Sequence, residues 1–374
     1  MAGMSLHRQE FAKFLSRFKK PAKSCDWDRP TQRTNLAVPT IRLLGSPSGT
    51  QKEVPDPVAP SVQALFRHIV VGGLWRPVKR RAEQELISEL TQGRYPSFPF
   101  ISPDTFRALC DVVIEENRVT RRSPMAARSV IFFDLAEIEG TETHFDDAPS
   151  LALLKTELEA LPGPPVVIMS HGDLLPSPSL LTEIADRCAR LFSINVVDET
   201  EKIRAIPLGL ENFSRNRNGR LKDYLGALDI PAETPRTRDV FTAFEPENNP
   251  SVRSPLVELL RGSRFGWSPR RMSTEQYRQA VSESMFVLSP PGRGLDCHRT
   301  WEAIYLGAVP VVIEGSLPPG LIHDLPIHSV SSYEHFLNLP HSDMAGLFRE
   351  VRGFNPRKAY MPFWVDAVMA SAHE

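Results

Sequence analysis

Residues 285–313 constrain this chain more than any other segment. Met285-Phe-Val-Leu288 is a short apolar run that fits a buried strand, and Ser289-Pro-Pro-Gly-Arg-Gly-Leu295 follows as a turn. A helical pattern then carries the chain to a second apolar run, Val309-Pro-Val-Val-Ile313. Strand, turn, helix and strand in so short a stretch point to a parallel α/β unit.

The same alternation recurs upstream. Helical patterns are predicted over 62–71, 78–90 and 103–116, the last started by Asp104 or capped by Ser102. Apolar runs at 130–134 and 165–170 read as buried strands, with a helix over 151–161 between them. A helix over 180–191 and strands over 191–197 and 203–209 continue the series. Residues 223–237 read as a connector. A second α/β unit then opens with the strand at 239–244. It adds helices over 252–261 and 274–284, the strands around the turn, and later segments at 333–339 and 343–351. A helix over 357–370 ends the series and carries Tyr360, Phe363 and Trp364. These two aromatics, Phe363 and Trp364, suit either stacking on a sugar or packing of the helix against the body of the protein.

The expected organisation is an irregular tail over 1–60, an α/β domain over 61–235, a nucleotide-binding α/β domain over 236–345, and a returning helix over 346–374. A length of 374 residues accommodates two such domains. Phe11, Phe14, Leu15 and Phe18 in the tail are spaced for one helix face, among Arg8, Lys13, Arg17, Lys19 and Lys20. That pattern suits docking of residues 8–20 on an anionic membrane surface, or a helix packed on its own protein. Residues 22–60 are rich in Pro, Ser and Thr and read as irregular.

Composition excludes several classes. A formal net charge of −1 supplies no field for nucleic acid. The four cysteines, Cys25, Cys110, Cys188 and Cys297, form no CxxC pair and no zinc spacing. They fit a reduced compartment better than a disulfide framework. With no apolar signal core and no bilayer-length run, the expected location is the cytoplasm, at the inner membrane face if the tail docks there.

The turn after the 285–288 run gathers the chemistry. Ligands of parallel sheets bind beyond the carboxyl ends of strands. Gly292 and Gly294 let backbone N–H groups approach an anion with no Cβ in the way. Asp296 is predicted at the N-cap of the following helix, whose free N–H groups favour a phosphate. Arg299 adds bidentate donors, and Glu302, one turn on, suits the hydroxyls of a ribose. His298 and Arg293 complete the cluster. Singly, Asp296 reads as a cap, Arg299 and Glu302 as an ion pair, His298 as a satisfied interface histidine, and Arg293 as a solvated side chain. Together on one strand–turn–helix they read as a ligand site. Neither GxxxxGK[ST] nor GxGxxG occurs, which sets aside the P-loop and dinucleotide folds.

Phe286-Val-Leu-Ser-Pro-Pro-Gly-Arg-Gly-Leu-Asp-Cys-His-Arg-Thr-Trp-Glu-Ala-Ile-Tyr-Leu-Gly-Ala-Val-Pro-Val-Val312 resembles the C-terminal signature of exostosin-like glycosyltransferases, and is similar to their ribitol xylosyltransferase branch. Glu302-Ala303, Gly307 and Pro310-Val-Val312 also resemble the nucleotide-sugar half-site of the wider glycosyltransferase-B class. Phe100-Ile-Ser-Pro-Asp-Thr-Phe-Arg107, Ser170-His171-Gly172-Asp173 and Ile206-Pro-Leu-Gly-Leu-Glu-Asn212 resemble bacterial exostosin-like proteins, with Gly172 where Asn is usual and Pro103 where Gly is usual. The resemblance spans 95–370.

The resemblance implies two Rossmann-like domains facing a cleft. A nucleotide-sugar, with UDP the family-level expectation, would sit on Gly292, Gly294, Arg299 and Glu302, with Asn249 and Arg253 as further phosphate contacts. It implies transfer of a hexosyl or pentosyl group to a glycan or lipid-linked acceptor, with inversion and with no essential metal or other cofactor. The general base is then expected across the cleft, with His171, Asp173 and Glu211 as candidates. Asp26-Trp27-Asp28 spells the metal-binding DxD of other glycosyltransferases but lies in the tail rather than after a strand. Two further readings stay open: a retaining enzyme of the same fold, and a catalytically silent nucleotide-sugar-binding or scaffold protein of a polysaccharide assembly.

Overall fold

The computed structural model describes residues 97, 100–122, 124, 129–138, 148–173, 175–212, 224, 234–267, 272–352 and 357–372. The basic helix in the tail, the Asp26–Asp28 spelling, the helical patterns at 62–71 and 78–90 and most of the 223–237 connector lie outside the described residues.

The chain builds two sheets, joined by ten α-helices among the described residues. The first sheet holds β1 (Val112–Glu115), β2 (Arg118–Arg121), β3 (Val130–Asp134), β4 (Val166–Ser170), β5 (Arg190–Ser193) and β6 (Ile203–Ala205). Its order is β2-β1-β3-β4-β5-β6, and every pairing is parallel except the β1–β2 hairpin at the edge. Helices α2 (Pro149–Ala160) and α3 (Pro178–Ala185) form the crossovers β3–α2–β4 and β4–α3–β5. Strands β3 and β4 are buried along their whole length, which is why they read as unbroken apolar runs.

The second sheet is wholly parallel, in the order β10-β9-β8-β7. It consists of β7 (Arg238–Phe241), β8 (Ser284–Leu288), β9 (Val309–Ile313) and β10 (His328–Val330). Between β7 and β8 come α4 (Pro250–Gly262) and α5 (Thr274–Ser282), the latter started by a Ser273/Gln276 capping box. Helix α6 (His298–Tyr305) connects β8 to β9, and α7 (Pro319–Ile322) precedes β10. Helices α8 (Tyr333–Leu337) and α9 (His341–Arg352) follow. Alternate side chains of β8 enter different cores. Phe286 and Leu288 pack with Phe336, Met344 and Phe348, whereas Val287 joins the cluster that holds Trp301 and the first sheet.

The helix expected over 103–116 is much shorter. Helix α1 spans Pro103–Ala108, with Ser102 rather than Asp104 as its N-cap, in a capping box with Thr105. Val112-Val-Ile-Glu115 is a strand instead. Its β-branched residues suit a sheet, and the two-residue turn at Glu116 and Asn117 has φ of 51° and 52°, as a tight hairpin requires. Strand β10 and helix α7 were not foreseen. The last helix, α10 (Met361–Ser371), places Trp364 4% exposed and 6.4 Å from the ring of Phe106 in α1. Trp364 therefore packs rather than offering a face to a sugar, and its indole N–H donates to the Lys358 carbonyl at 2.8 Å.

Candidate functional site

Parallel strands put their carboxyl ends along one edge of each sheet, and the loops leaving those two edges touch. The turn after β8 is held from both sides. From the second sheet, Arg253 in α4 lies buried and donates to the carbonyls of Pro290, Pro291 and Glu245, each at 2.9 Å. Its guanidinium lies over the ring of Phe244. Asn249, just before α4, donates its amide to the Gly292 carbonyl at 3.0 Å and accepts from the Ser251 hydroxyl. Arg253 and Asn249, expected as phosphate contacts, thus have several of their hydrogen bonds engaged in shaping the turn.

From the first sheet, Asn195 follows β5 with φ of 56°, a left-handed conformation that Asn tolerates. Its side-chain Oδ1 accepts from the backbone amides of Leu295 and Asp296, both at 3.1 Å. A Cβ at Gly294 would lie 2.8 Å from the Asn195 side-chain amide nitrogen, so that side chain would have to shift and loosen its hold on the turn.

The expected N-cap at Asp296 shifts by one residue. Cys297 occupies that position and makes no side-chain cap, while Asp296 precedes it and is buried. The Asp296 carboxylate accepts from the Leu208 amide beyond β6 (2.8 Å), the Trp301 indole (2.8 Å) and the Cys297 amide (2.7 Å). Burial pushes its pKa up to about 6, against the pull of these donors. His298 bonds through Nδ1 to the Gly209 carbonyl at 2.8 Å. Asp296 and His298 thus sew α6 to the loop after β6. This is the interface role that the sequence left open for His298.

Arg299 and Glu302 remain on the face of α6 toward α5. Glu302 is buried and accepts from the Tyr277 hydroxyl at 2.7 Å. Burial, then the Glu302 charge, pushes the Tyr277 phenol well up, so it stays a donor. Arg299 lies beside the same hydroxyl, and its Nε is buried with no hydrogen-bond partner. Burial and then the Arg299 charge lower the pKa of Arg253, so two guanidinium groups share one low-dielectric region. Such a region favours an anion.

Across the turn, Arg293 is exposed and its guanidinium lies 3.9 Å from the Asp173 carboxylate. The cluster after β4 is therefore next to the turn after β8. His171 there has φ of 70°, and its Nδ1 lies 2.8 and 2.7 Å from the two carboxylate oxygens of Asp134, the last residue of β3. Asp134 also accepts from the Ala136 amide at 2.9 Å. Gly172 has φ of 87°, and a Cβ there would lie 2.7 Å from the Ala136 nitrogen. A side chain at position 172 would therefore meet the backbone after β3. Glu211 is half-buried beyond β6, beside Asn212, whose side-chain Oδ1 accepts from the Asp104 backbone amide.

Three residues of this region were not singled out from the sequence: Asp134, Asn195 and Tyr277. Asp134 carried a signal, since it ends an apolar strand at its carboxyl end. Asn195 and Tyr277 carried none, because their partners lie far away in sequence. Among the described residues no cluster of three or more His, Cys, Asp or Glu is arranged to hold a metal, and no helix is long and apolar enough to cross a membrane.

Two mostly parallel sheets meeting at their carboxyl edges, over a glycine turn backed by guanidinium groups, define an α/β chain with an anion-favouring site. Residues 259–329, from the end of α4 into β10, match the family model described as the RXYLT1 C-terminal domain, of the ribitol xylosyltransferase branch. The match agrees with the exostosin-like resemblance and points to a glycosyltransferase. No curated protein matches the chain.

Proposed function

We propose that this protein is an exostosin-like glycosyltransferase of the glycosyltransferase-B arrangement, moving a sugar from a nucleotide donor, UDP in the first instance, to a hydroxyl of a glycan or lipid-linked acceptor. The observation that carries the reading is Arg299. Its Nε is buried without a hydrogen-bond partner, close enough to Arg253 for their charges to interact, and one turn from a Glu302 held by Tyr277. A buried donor left unmade costs about 1–3 kcal/mol, and a diphosphate oxygen would satisfy it. Glu302 would accept the ribose hydroxyls. Arg299, with Arg253 behind the turn, would stabilise the departing diphosphate by fixed charge, without needing a metal. The base would come from the loops of the first sheet, with inversion at the anomeric carbon. Cytoplasmic placement, with membrane contact through residues 8–20, completes the proposal.

A thermal-shift screen of nucleotide-sugars tests it, since ligand binding to the folded state raises the melting temperature. A UDP-sugar should raise it, and Arg299→Ala should abolish that rise. Unchanged nucleotide affinity in Arg299→Ala would refute the reading. Tight nucleotide binding without turnover, across a panel of donors and acceptors, would favour the silent binder.

A further inference from the structure

The first sheet holds a feature that the donor side does not explain. Asp134 and Ser170 are register partners at the carboxyl ends of β3 and β4, so the next residue, His171, emerges directly over Asp134. The Asp134 carboxylate takes His171 Nδ1 on both oxygens, and the Ala136 amide fixes that carboxylate in turn. The side chains of His171 and Asp134 are only 15% and 12% exposed. His171 Nε2 is enclosed and has no hydrogen-bond partner.

Two costs are concentrated on this residue. A non-glycine residue at φ of 70° is strained, and such strain gathers at functional sites. An unpartnered buried ring nitrogen is rare in folded chains. Packing alone explains neither, because a residue chosen only for packing would relax the backbone and satisfy both nitrogens. A carboxylate at Nδ1 keeps the proton there and leaves the lone pair on Nε2. It also stabilises the imidazolium that forms when Nε2 takes up a proton.

We propose that His171 is the proton acceptor of the transfer and that Asp134 is its positioning residue. The proposal rests on the glycosyltransferase reading and selects among its three candidate bases. The acceptor O–H bond breaks and its proton goes to His171 Nε2. The acceptor oxygen forms the new bond to the anomeric carbon. The bond from that carbon to the diphosphate oxygen breaks, and its electron pair leaves on the nucleoside diphosphate. Asp173 takes a different part. Its side chain is half exposed and faces Arg293 across the turn at 3.9 Å, so its charge acts on the loop beside the donor rather than on a buried proton. Glu211 lies beyond β6, on a different strand end from the dyad.

The test uses the full chain and a nucleotide-sugar that the wild type turns over. Asp134→Asn should lower kcat by about 10²–10⁴-fold, in keeping with loss of an orienting carboxylate, and should leave UDP affinity within about twofold. The loss should fall on kcat, with KM for the donor changed by no more than about twofold, because Asp134 orients the ring rather than binding substrate. A purely structural role would instead disturb donor and acceptor binding along with the rate. His171→Gly tolerates the positive φ and leaves space for a small base. Its lost transfer should return with added imidazole. NMR of the wild type should show the neutral His171 ring protonated at Nδ1.

Full transfer activity in His171→Gly, an unchanged kcat in Asp134→Asn, or a proton resident on Nε2 would each overturn the proposal. If Asp134→Asn does not fold, imidazole rescue of His171→Gly decides, and its failure counts against the proposal. If the wild type turns over no nucleotide-sugar, the glycosyltransferase reading itself fails and this assignment fails with it.

Discussion

Asp296→Asn offers a quantitative test of the seam between the two sheets. The wild-type carboxyl is buried, and burial raises its pKa from 3.8 to about 6. A raised folded-state pKa means that the folded protein holds this proton more tightly than the unfolded chain does. The stability linked to it is therefore fully present below about pH 4 and is lost as pH rises through about 6. The shift of roughly two units corresponds to about 3 kcal/mol, at 1.36 kcal/mol per unit. Asn does not titrate. Its carbonyl oxygen can keep the Leu208 and Trp301 bonds, but its amide faces the Cys297 N–H, a donor against a donor. That mismatch costs about 1–3 kcal/mol at every pH.

The difference between the two proteins should thus move by about 3 kcal/mol in favour of Asn between pH 4 and pH 7. At about 2–4 °C per kcal/mol for a domain of moderate size, the gap in melting temperature should change by roughly 6–12 °C. Differential scanning fluorimetry of both proteins across this range reads it. Common titrations of other carboxylates cancel in the difference. Melting curves that run parallel from pH 4 to pH 7 would refute the buried, proton-holding role of Asp296.

Three further outcomes follow from the geometry. Gly172→Ala places a Cβ against the Ala136 nitrogen in a left-handed backbone, and should cost on the order of 1–3 kcal/mol in urea denaturation. Tyr277→Phe removes the hydroxyl that Glu302 accepts from, and isothermal titration should show nucleotide affinity weakened about three- to tenfold, the scale of one hydrogen bond. Arg253→Lys cannot reproduce the fork to the Pro290, Pro291 and Glu245 carbonyls. It should destabilise the fold by about 2–3 kcal/mol in the same urea assay, through donors lost to buried carbonyls.

Much of the framework was legible because it depends on local pattern. Strands β3, β4, β8 and β9 are buried on both faces, and such strands must be continuous apolar runs. The turn after β8 was legible because glycine, aspartate and arginine cluster where a strand ends. The misreading of 103–116 has a local cause as well. Phe106, Leu109, Cys110, Val113 and Ile114 fall at helical spacing, yet Val112-Val113-Ile114 also suits a strand, and the Glu116–Asn117 hairpin decides between them.

Roles within the site were less legible because they depend on distant partners. Nothing near Asp296 announces that the Leu208 amide will reach it, or that Asn195 will cap the same turn. The arginine at 253 has the residue type and helix position of a phosphate ligand, and only the fold reveals the proline carbonyls that claim it. Asp134 could be placed at a strand end, but its bond to His171 required the register of β3 against β4.

The glycine turn belongs to one half of the chain but is moulded by the other. Asn195, Leu208 and Gly209 form hydrogen bonds to Leu295, Asp296 and His298. This sets a compatibility rule for chimaeras. Grafting the 259–329 segment onto a relative's first half should preserve its strands and helices, which are local. It should preserve the shape of the turn only if the host carries an Asn at the end of β5 and a free amide and carbonyl beyond β6 in matching positions. The shape of the turn in such hybrids would then be inherited from both parents, even though the sequence signature is written in only one.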